Sequence, residues 1–330
     1  MAVRTGSDLL RMGIMKETTY GTDPGTKLYS WPHIITNFPN PTEDFGRTMI
    51  RSLGSGRLYG MTYDTKSEYG FTVESLVNDD GAVSLIAAAL GAQAIAPADT
   101  LSLGDLESFV IETGISNGSD LSYELYKGCK VNTLTLEATE NEPLTMTVDW
   151  IAQTLTRSTS QVTRSSGSGD GAVGDLTDPT AVPKQMGDIT ITVKPITNGT
   201  VGSAMTGLIM RSFTLEIANN LERIYSLGGT KHLGSLIEQG MDITGSFTLI
   251  SQNDDFAARF AADGANNGVQ LEIVIDNIGK AATENVKLVL PKVRLLSRDF
   301  AKDVTDAGPI EEAYDFHVQS SPTVTMNDSS

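Results

Sequence analysis

The sequence predicts a mainly β protein with two tandem, similar antiparallel domains, each a β-sandwich or partial barrel with one short flanking α-helix. Apolar and polar residues alternate over many short runs, which is the pattern of strands with one buried face. One motif recurs far along the chain, and helical patterning is confined to two short segments. The 330 residues suffice for two domains, each with its own core.

The repeated motif predicts the duplication. The segment Ser52–Gly60 reads SLGSGRLYG, and Ser226–Gly234, in the second half of the chain, reads SLGGTKHLG. An alternating strand, Asn-Asp-Asp, a short Ala-rich run and a glycine follow each copy in the same order. Asn and Asp cap helix N-termini and glycine commonly ends helices, so helices are predicted at about 79–91 and 253–263.

The repeated order of elements also predicts the domain boundaries. The first domain spans 1–156, the second spans 186–319, and 320–330 form a C-terminal tail. Residues 157–185 are rich in Ser, Gly and Asp and poor in large apolar residues, which is typical of a linker or long loop. Within this segment, 167–175 (GSGDGAVGD) also resembles a calcium-binding glycine-aspartate repeat, although such repeats need several stacked copies.

The clearest strands form a predicted hairpin. The runs VNTLTLEA and LTMTVDWIA alternate strictly, and TENE joins them at hairpin spacing. Such strands belong to an antiparallel sheet with one apolar, buried face and one wet face. The wet face comprises Thr133, Thr135, Glu137, Thr145, Thr147 and Asp149.

Composition excludes several classes of protein. The chain has 24 Lys and Arg against 41 Asp and Glu, a net charge of −17, which argues against a DNA- or RNA-reading protein. Cys129 is the only cysteine, so an intrachain disulfide is impossible. The N-terminus lacks the long apolar core of a signal peptide, and the longest apolar run is too short for a bilayer. We therefore expect synthesis in a cytoplasm and no membrane partner.

No catalytic constellation is recognisable. His33, His232 and His317 are scattered, with no second ligand at metal spacing, and neither a phosphate-binding loop nor a nucleophile elbow occurs. A sugar-active enzyme would need paired carboxylates and aromatic platforms, whereas Trp150 lies on an apolar strand face and Trp31 is the only other tryptophan. We therefore predict no enzyme activity, no cofactor and no metal site.

Three segments resemble a known family. Residues 12–25 (MGIMKETTYGTDPG) resemble the opening of major tail tube proteins of tailed, siphovirus-like phages, and Glu17-Thr-Thr-Tyr-Gly-Thr22 is the most specific part. Residues 126–154 are similar to the hairpin of that family, with a Gly and a small residue before the first strand. Residues 212–229 resemble a segment of its longer members, which carry a duplicated tube domain.

This resemblance implies a structural virion protein of the tail, made in the host cytoplasm. Tube domains in the family form stacked rings of six around a DNA channel, so a chain with two domains implies rings of three copies. The wet face would then line the channel, which DNA crosses without sequence-specific binding. Implied partners are further copies of the chain and the tape measure, tail terminator and distal tail proteins. A tandem β-sandwich surface or adhesion protein is the alternative.

One long predicted loop, 22–47, is unusual. Its four prolines disfavour regular ladder hydrogen bonds, yet the loop carries more apolar surface than a connection needs. In the family that the sequence resembles, the corresponding loop reaches towards the next ring, so we predict that 22–47 makes the contact between successive rings. The alternative is that its apolar side chains fold back onto their own domain as a lid. The apolar residues are Tyr29, Trp31, Ile34, Ile35, Phe38 and Phe45.

Overall fold

The computed structural model describes most of the chain. The described residues are 9–25, 29–30, 34–50, 61–77, 82–91, 100–116, 121–159, 184, 188–225, 233–251, 258, 260–261, 268–276, 285–301 and 311–327. Over these residues the chain is mainly β, as predicted, with large antiparallel sheets.

The first half of the chain contributes β1 (Leu9–Lys16), β2 (Tyr29–Ser30), β3 (Ile34–Asp44), β4 (Arg47–Ile50), β5 (Met61–Asp64), β6 (Glu68–Leu76), α1 (Ala82–Leu90), β7 (Thr100–Ser102), β8 (Phe109–Ser116), β9 (Leu121–Thr139), β10 (Thr145–Ala152) and β11 (Thr154–Ser158). The second half contributes β12 (Ile189–Thr197), β13 (Thr200–Val201), β14 (Leu208–Ala218), β15 (Leu221–Ile224), β16 (Ser235–Glu238), β17 (Asp242–Ser251), β18 (Gly268–Asp276), β19 (Asn285–Ala301), β20 (Glu311–Val318) and β21 (Thr323–Asn327).

Eight strands form the main antiparallel sheet, in the order β3-β6-β10-β9-β14-β17-β20-β19. The first four strands come from the first half of the chain and the last four from the second half. The β9-β14 pairing therefore joins the two halves edge to edge. We call the β9-β14 pairing, together with the contacts that the two halves make around it, the internal junction.

Two long strands connect the main sheet to two outer layers. The N-terminal part of β9 pairs with β8 and β11, and β8 continues to β1 and β2. The N-terminal part of β19 pairs with β18 and β21, and β18 continues to β12 and β13. Both layers and α1 share one hydrophobic cluster with the main sheet, so each half is a sandwich.

The core under the main sheet is rich in aromatic side chains. Phe71, Trp150 and Tyr126 meet beneath the first half, with the Phe71 and Tyr126 rings 4.6 Å apart between centroids. Phe247 and Phe316 pack together in the second half at 5.8 Å. Each such fully buried ring contributes about 1.5–3 kcal/mol through the hydrophobic effect, so these clusters fix the alternation of buried and wet residues along the strands.

The order of strand pairings is the same in both halves. It runs β1-β8-β9-β10-β6-β3 in the first half and β12-β18-β19-β20-β17-β14 in the second. A register shift lies in each hairpin of the long strands, between Asp149 and Trp150 on β10 and between Leu295 and Ser297 on β19. The two repeated nonapeptides lie between β4 and β5 and between β15 and β16.

The expected loop 22–47 contains a strand. Residues Ile34–Asp44 form β3, which pairs with β6 through two register irregularities, around Asn37. The prediction of a loop is wrong for these residues. Pro39 and Pro41 are compatible with a strand here because they lie on an edge strand, where one side needs no ladder partner.

Other predicted boundaries shift by a few residues. Arg157 and Ser158, at the start of the predicted linker, belong to β11, and the predicted tail contains β21. Helix α1 lies within the predicted 79–91 and ends at Gly91, whose φ of 66° is left-handed, as a terminating glycine requires. In the second predicted helix, residues 258, 260 and 261 are helical, and its other residues, like the possible calcium-binding stretch 167–175, lie outside the described part.

Candidate assembly surface

The internal junction begins with a regular ladder. Seven residue pairs join β9 to β14, from Thr133–Ala218 to Thr139–Ser212. Leu134 and Ile217 face each other across this ladder, and both are buried. The two half-sheets thus continue into one another with no break in the core.

Asn219 closes the end of this ladder. Its side-chain amide donates to the carbonyl oxygens of Ala89 and Val131, both at 3.0 Å, and its backbone N–H donates to the Asn132 carbonyl at 2.8 Å. Asn219 is only 3% exposed, so these bonds satisfy a buried amide. The side chain of Asn132, the opposite residue, donates to Asp149 Oδ2 at 3.0 Å.

The hairpin β15–β16 extends the junction beyond the main sheet. Leu233 and Leu236 are buried against Ile151 of the first half, and Tyr20 packs against the same cluster. Gln153 donates its amide to the Leu233 carbonyl at 3.0 Å. One apolar face of this hairpin from the second half is therefore covered by the first half.

Charged contacts fix both ends of the hairpin. The Glu238 carboxylate accepts from Lys130 Nζ at 2.7 Å and from the Leu106 N–H at 3.0 Å. Tyr225 donates its hydroxyl to Glu68 Oε1 at 2.7 Å. Burial and this bond to a carboxylate raise the pKa of Tyr225. Burial alone would raise the pKa of Glu68, but hydrogen bonds from Tyr225 and Lys66 outweigh it, so the pKa of Glu68 is lowered. The phenol stays protonated and the carboxylate ionised at neutral pH.

The main sheet ends in two strands that have no second neighbour among the described residues. At one end β3 pairs only with β6 in this sheet, and at the other end residues 294–301 of β19 pair only with β20. These end strands occupy the places that β14 and β9 occupy at the internal junction, because the pairing order repeats. Open sheet edges of this kind are sites where another strand adds.

Exposed apolar side chains lie beside both edges. Leu296, at the register shift of β19, is 61% exposed. On the hairpin β4–β5, next to β3, Met49 is 61% and Met61 is 64% exposed, and Ile50 and Tyr63 are also exposed. Grouped exposed apolar side chains, as on β4–β5, are typical of interaction sites.

The six predicted wet-face residues come together as predicted in the hairpin β9–β10. They form three cross-strand pairs, and the residues between them are buried. The same face continues across the whole main sheet, and each of its eight strands adds an acidic residue. These residues are Asp44, Glu74, Asp149, Glu137, Glu216, Asp242, Asp315 and Asp299.

The six apolar residues of the predicted contact loop are spread over several elements. Tyr29 lies in β2, opposite Ile14 of β1, and Ile34, Ile35 and Phe38 lie in β3. Ile35 and Phe45 pack partly against the core of their own half, as the lid alternative expects of them. Phe45 contacts Tyr69 edge-on and lies under the Arg47 guanidinium. Trp31 lies outside the described residues.

Buried polar groups near β1 form hydrogen bonds within the fold. The Glu17 carboxylate accepts from the backbone N–H groups of Gly21 and Gly128, both at 2.8 Å. Burial, together with the charge of Glu17, raises the pKa of the Cys129 thiol, so Cys129 is neutral and shielded from reagents.

The described residues hold neither a metal cluster nor a membrane-spanning helix. No group of three or more His, Cys, Asp or Glu side chains is arranged there to hold a metal ion. No helix in this part of the chain is long and apolar enough to cross a bilayer.

Sequence comparison identifies the family. Residues 8–318 match the family described as "Phage tail tube protein". The chain belongs to this family. The match confirms the resemblance seen in residues 12–25, and a comparison with curated proteins finds no match. As a phage tail tube protein, the chain is a structural component of the virion tail and assembles with itself and with other tail proteins. The family is not a family of enzymes.

Sequence reasoning missed the residues that join the two halves of this tail tube protein. Asn219 contacts Ala89, which is 130 residues away, and no local pattern marks such a contact. The hairpins β4–β5 and β15–β16 could have been predicted, because each repeated nonapeptide lies between the two strands of one hairpin. The strands of the second hairpin follow those of the first by the same number of residues that separates the two nonapeptides.

Proposed function

We propose that three copies of the chain close a ring in which six similar units surround a DNA channel. The repeated order of strand pairings supports two similar units per chain, one in each half. The internal junction shows how two such units pair edge to edge within one chain. The observation that carries the proposal is the pair of open edges of the main sheet, β3 and β19, which match the two strands of that junction. Closed assembly would give each open edge a partner.

We further propose that the wet face of the main sheet lines the channel. Every strand adds a carboxylate to this face, and Thr and Ser side chains fill much of the rest. A negatively charged, hydrated wall repels the phosphate backbone and offers few groups that would bind it. DNA would therefore pass without adhering to the wall.

Rings stack into a tube in this proposal, with the segment 22–47 as a contact between successive rings. The proposed contact residues are Tyr29, Trp31, Ile34, Ile35, Phe38 and Phe45, of which Ile35 and Phe45 also pack partly against the core of their own half. The tape measure, tail terminator and distal tail proteins would meet the channel and the two ends of the tube.

Electron microscopy of the concentrated protein tests the ring. We expect stacked rings with threefold symmetry, six similar lobes and the wet face turned inwards. A reconstruction with one chain in each sixth of the ring would contradict the trimer, and an outward wet face would contradict the channel assignment. Particles that remain single at every concentration would favour the surface-protein alternative.

Trp31→Ala combined with Phe38→Ala tests the contact between rings. Loss of two large apolar side chains removes several kcal/mol from each ring contact, so we expect separate rings in place of long tubes. Circular dichroism should be unchanged. Ile209→Ala is the matched control, because Ile209 is an exposed apolar residue outside the segment, at 50% exposure. Tubes of normal length from the double variant would refute this role.

A further inference from the structure

We propose that residues 297–301 of β19 in one copy pair with β3 of the next copy in the register of the internal junction, and that hairpin β4–β5 docks beside this ladder as β15–β16 does within the chain. The inference rests on the proposed ring and adds the residues that form its joints. Its basis is the constant spacing between the two halves.

The residues of β3 in each joint between copies are found by aligning β3–β6 with β14–β17, which lie one constant distance further along the chain. Strands β3, β4, β5 and β6 begin at Ile34, Arg47, Met61 and Glu68, and their counterparts β14, β15, β16 and β17 begin at Leu208, Leu221, Ser235 and Asp242. The distance along the chain from each strand to its counterpart is the same in all four cases. Asn219 therefore corresponds to Phe45, and Glu238 corresponds to Asp64.

The residues of β19 in each joint are found by aligning β19 with β9 at the register shifts of the two strands. On β9 the residue skipped by the pairing with β10 is Asn132, and on β19 the residue skipped by the pairing with β20 is Leu296. Aligning the two long strands at these skipped residues makes Lys130 correspond to Arg294 and Thr133 to Ser297.

Together the two alignments give the ladder between copies. The internal pair Thr133–Ala218 becomes Ser297 opposite Asp44 of the next copy, and Leu134–Ile217 becomes Arg298 opposite Glu43. The second of these pairs brings opposite charges together, although Arg298 also binds Glu312 and Glu43 also binds Arg157 within each copy. Opposite charges across adjacent strands stabilise an antiparallel ladder, whereas like charges there would oppose it.

A change of chemistry at the end of the ladder supports the same register. Within the chain, Asn219 meets Asn132, so a polar residue faces a polar residue. Between copies the corresponding residues are Phe45 and Leu296, so an apolar residue faces an apolar residue. Docking would cover Leu296, which is 61% exposed in the single chain.

The hairpin contacts keep their charge pattern as well. Within the chain Lys130 binds Glu238 at 2.7 Å. The corresponding residues between copies are Arg294 and Asp64, again a base and an acid, and Asp64 also binds Arg47 of its own hairpin at 3.0 Å. Met49, which is 61% exposed on the same face of β4–β5 as Asp64, would be covered by the neighbouring copy.

Disulfide crosslinking tests the register. In Asp44→Cys/Ser297→Cys the two thiols would lie opposite each other in a pair with Cβ atoms about 4.5–5.5 Å apart, within reach of a disulfide. We expect oxidised tubes of this variant to give covalent dimers and trimers in denaturing gels. Cys129 is buried and does not compete.

Two controls make the result specific. Asp44→Cys/Asp299→Cys places the second thiol two residues out of register, about 7–8 Å away, and should give at least tenfold less crosslinked product. Thr133→Cys/Ala218→Cys marks the internal junction and should crosslink within one chain only. If rings of Asp44→Cys/Ser297→Cys form normally but no disulfide links their copies, this inference is overturned and the proposed function stays intact. Absence of rings in the unsubstituted protein would overturn both.

Discussion

Leu296→Asp is expected to yield a folded monomer that forms neither rings nor tubes. Leu296 is 61% exposed in the single chain, so its loss changes the free energy of unfolding by no more than about 0.5 kcal/mol. At the proposed joint the new carboxylate would be buried against Phe45, close to the carboxylates of Glu43 and Asp44. An unpaired buried charge costs several kcal/mol, and a ring contains three such joints.

Light scattering coupled to size exclusion measures this effect, and circular dichroism checks the fold. The matched control is Ile209→Asp, which places the same charge at an exposed apolar residue away from the proposed joint. We expect this control to assemble. Rings formed by Leu296→Asp at the concentration at which the parent protein assembles would refute the role of Leu296.

Gly245→Val is expected to give the largest loss of stability, more than about 4 kcal/mol, and insoluble protein on expression. Gly245 lies in β17 between Leu215 of β14 and Phe316 of β20, at the centre of the main sheet. A Cβ atom there would overlap the Thr214 carbonyl oxygen and the Phe316 ring. Neither can withdraw, because the carbonyl belongs to a strand and the ring is buried in the core.

Urea unfolding of any soluble fraction measures this loss. Thr244→Val is the control, since Thr244 is the neighbouring residue, points to the wet face and accepts a β-branched side chain. We expect its free energy of unfolding to stay within about 1 kcal/mol of the parent value. A soluble Gly245→Val protein with similar stability would show that the strands around Gly245 separate easily.

The parts of the fold that depend on local pattern could be predicted from the sequence. A period of two decides which residues of β9 and β10 are buried, and the structure keeps this division without exception from Leu134 to Leu136 and from Met146 to Trp150. Helix α1 could be predicted from the Asn-Asp-Asp run before it in the sequence and the glycine after it. In each case residues within one element determine the outcome.

The parts that depend on distant partners could not be predicted. β3 carries prolines and no clean alternation, so its place in the sheet comes from its pairing with β6, beginning with Ile34 opposite Leu76. Asn219 looks like an ordinary turn residue, and only the approach of α1 and β9 makes it a buried joint. The exposure of Leu296 likewise depends on a register shift that the sequence does not mark.

The prolines of β3 bear on how fast the assembly starts. At the internal junction Asn219 directs its N–H towards β9, and in a ladder alternate residues do so, which includes Leu215 and Phe213. Their counterparts in β3 are Pro41 and Pro39, which have no N–H to donate. Of these two prolines, Pro41 lies within the proposed ladder of residues 297–301, so each proposed joint lacks the hydrogen bond that Pro41 cannot donate, worth about 0.5–1.5 kcal/mol.

A pair of copies held by one such joint is then short-lived. A third copy makes two joints, and the second of these forms within one complex, where the effective concentration of the two strands is high. Ring formation in free solution becomes a slow nucleation step. A finished ring presents its whole face to incoming copies and removes this barrier for the next layer. In the proposed assembly, elongation from an existing end is thus faster than spontaneous initiation.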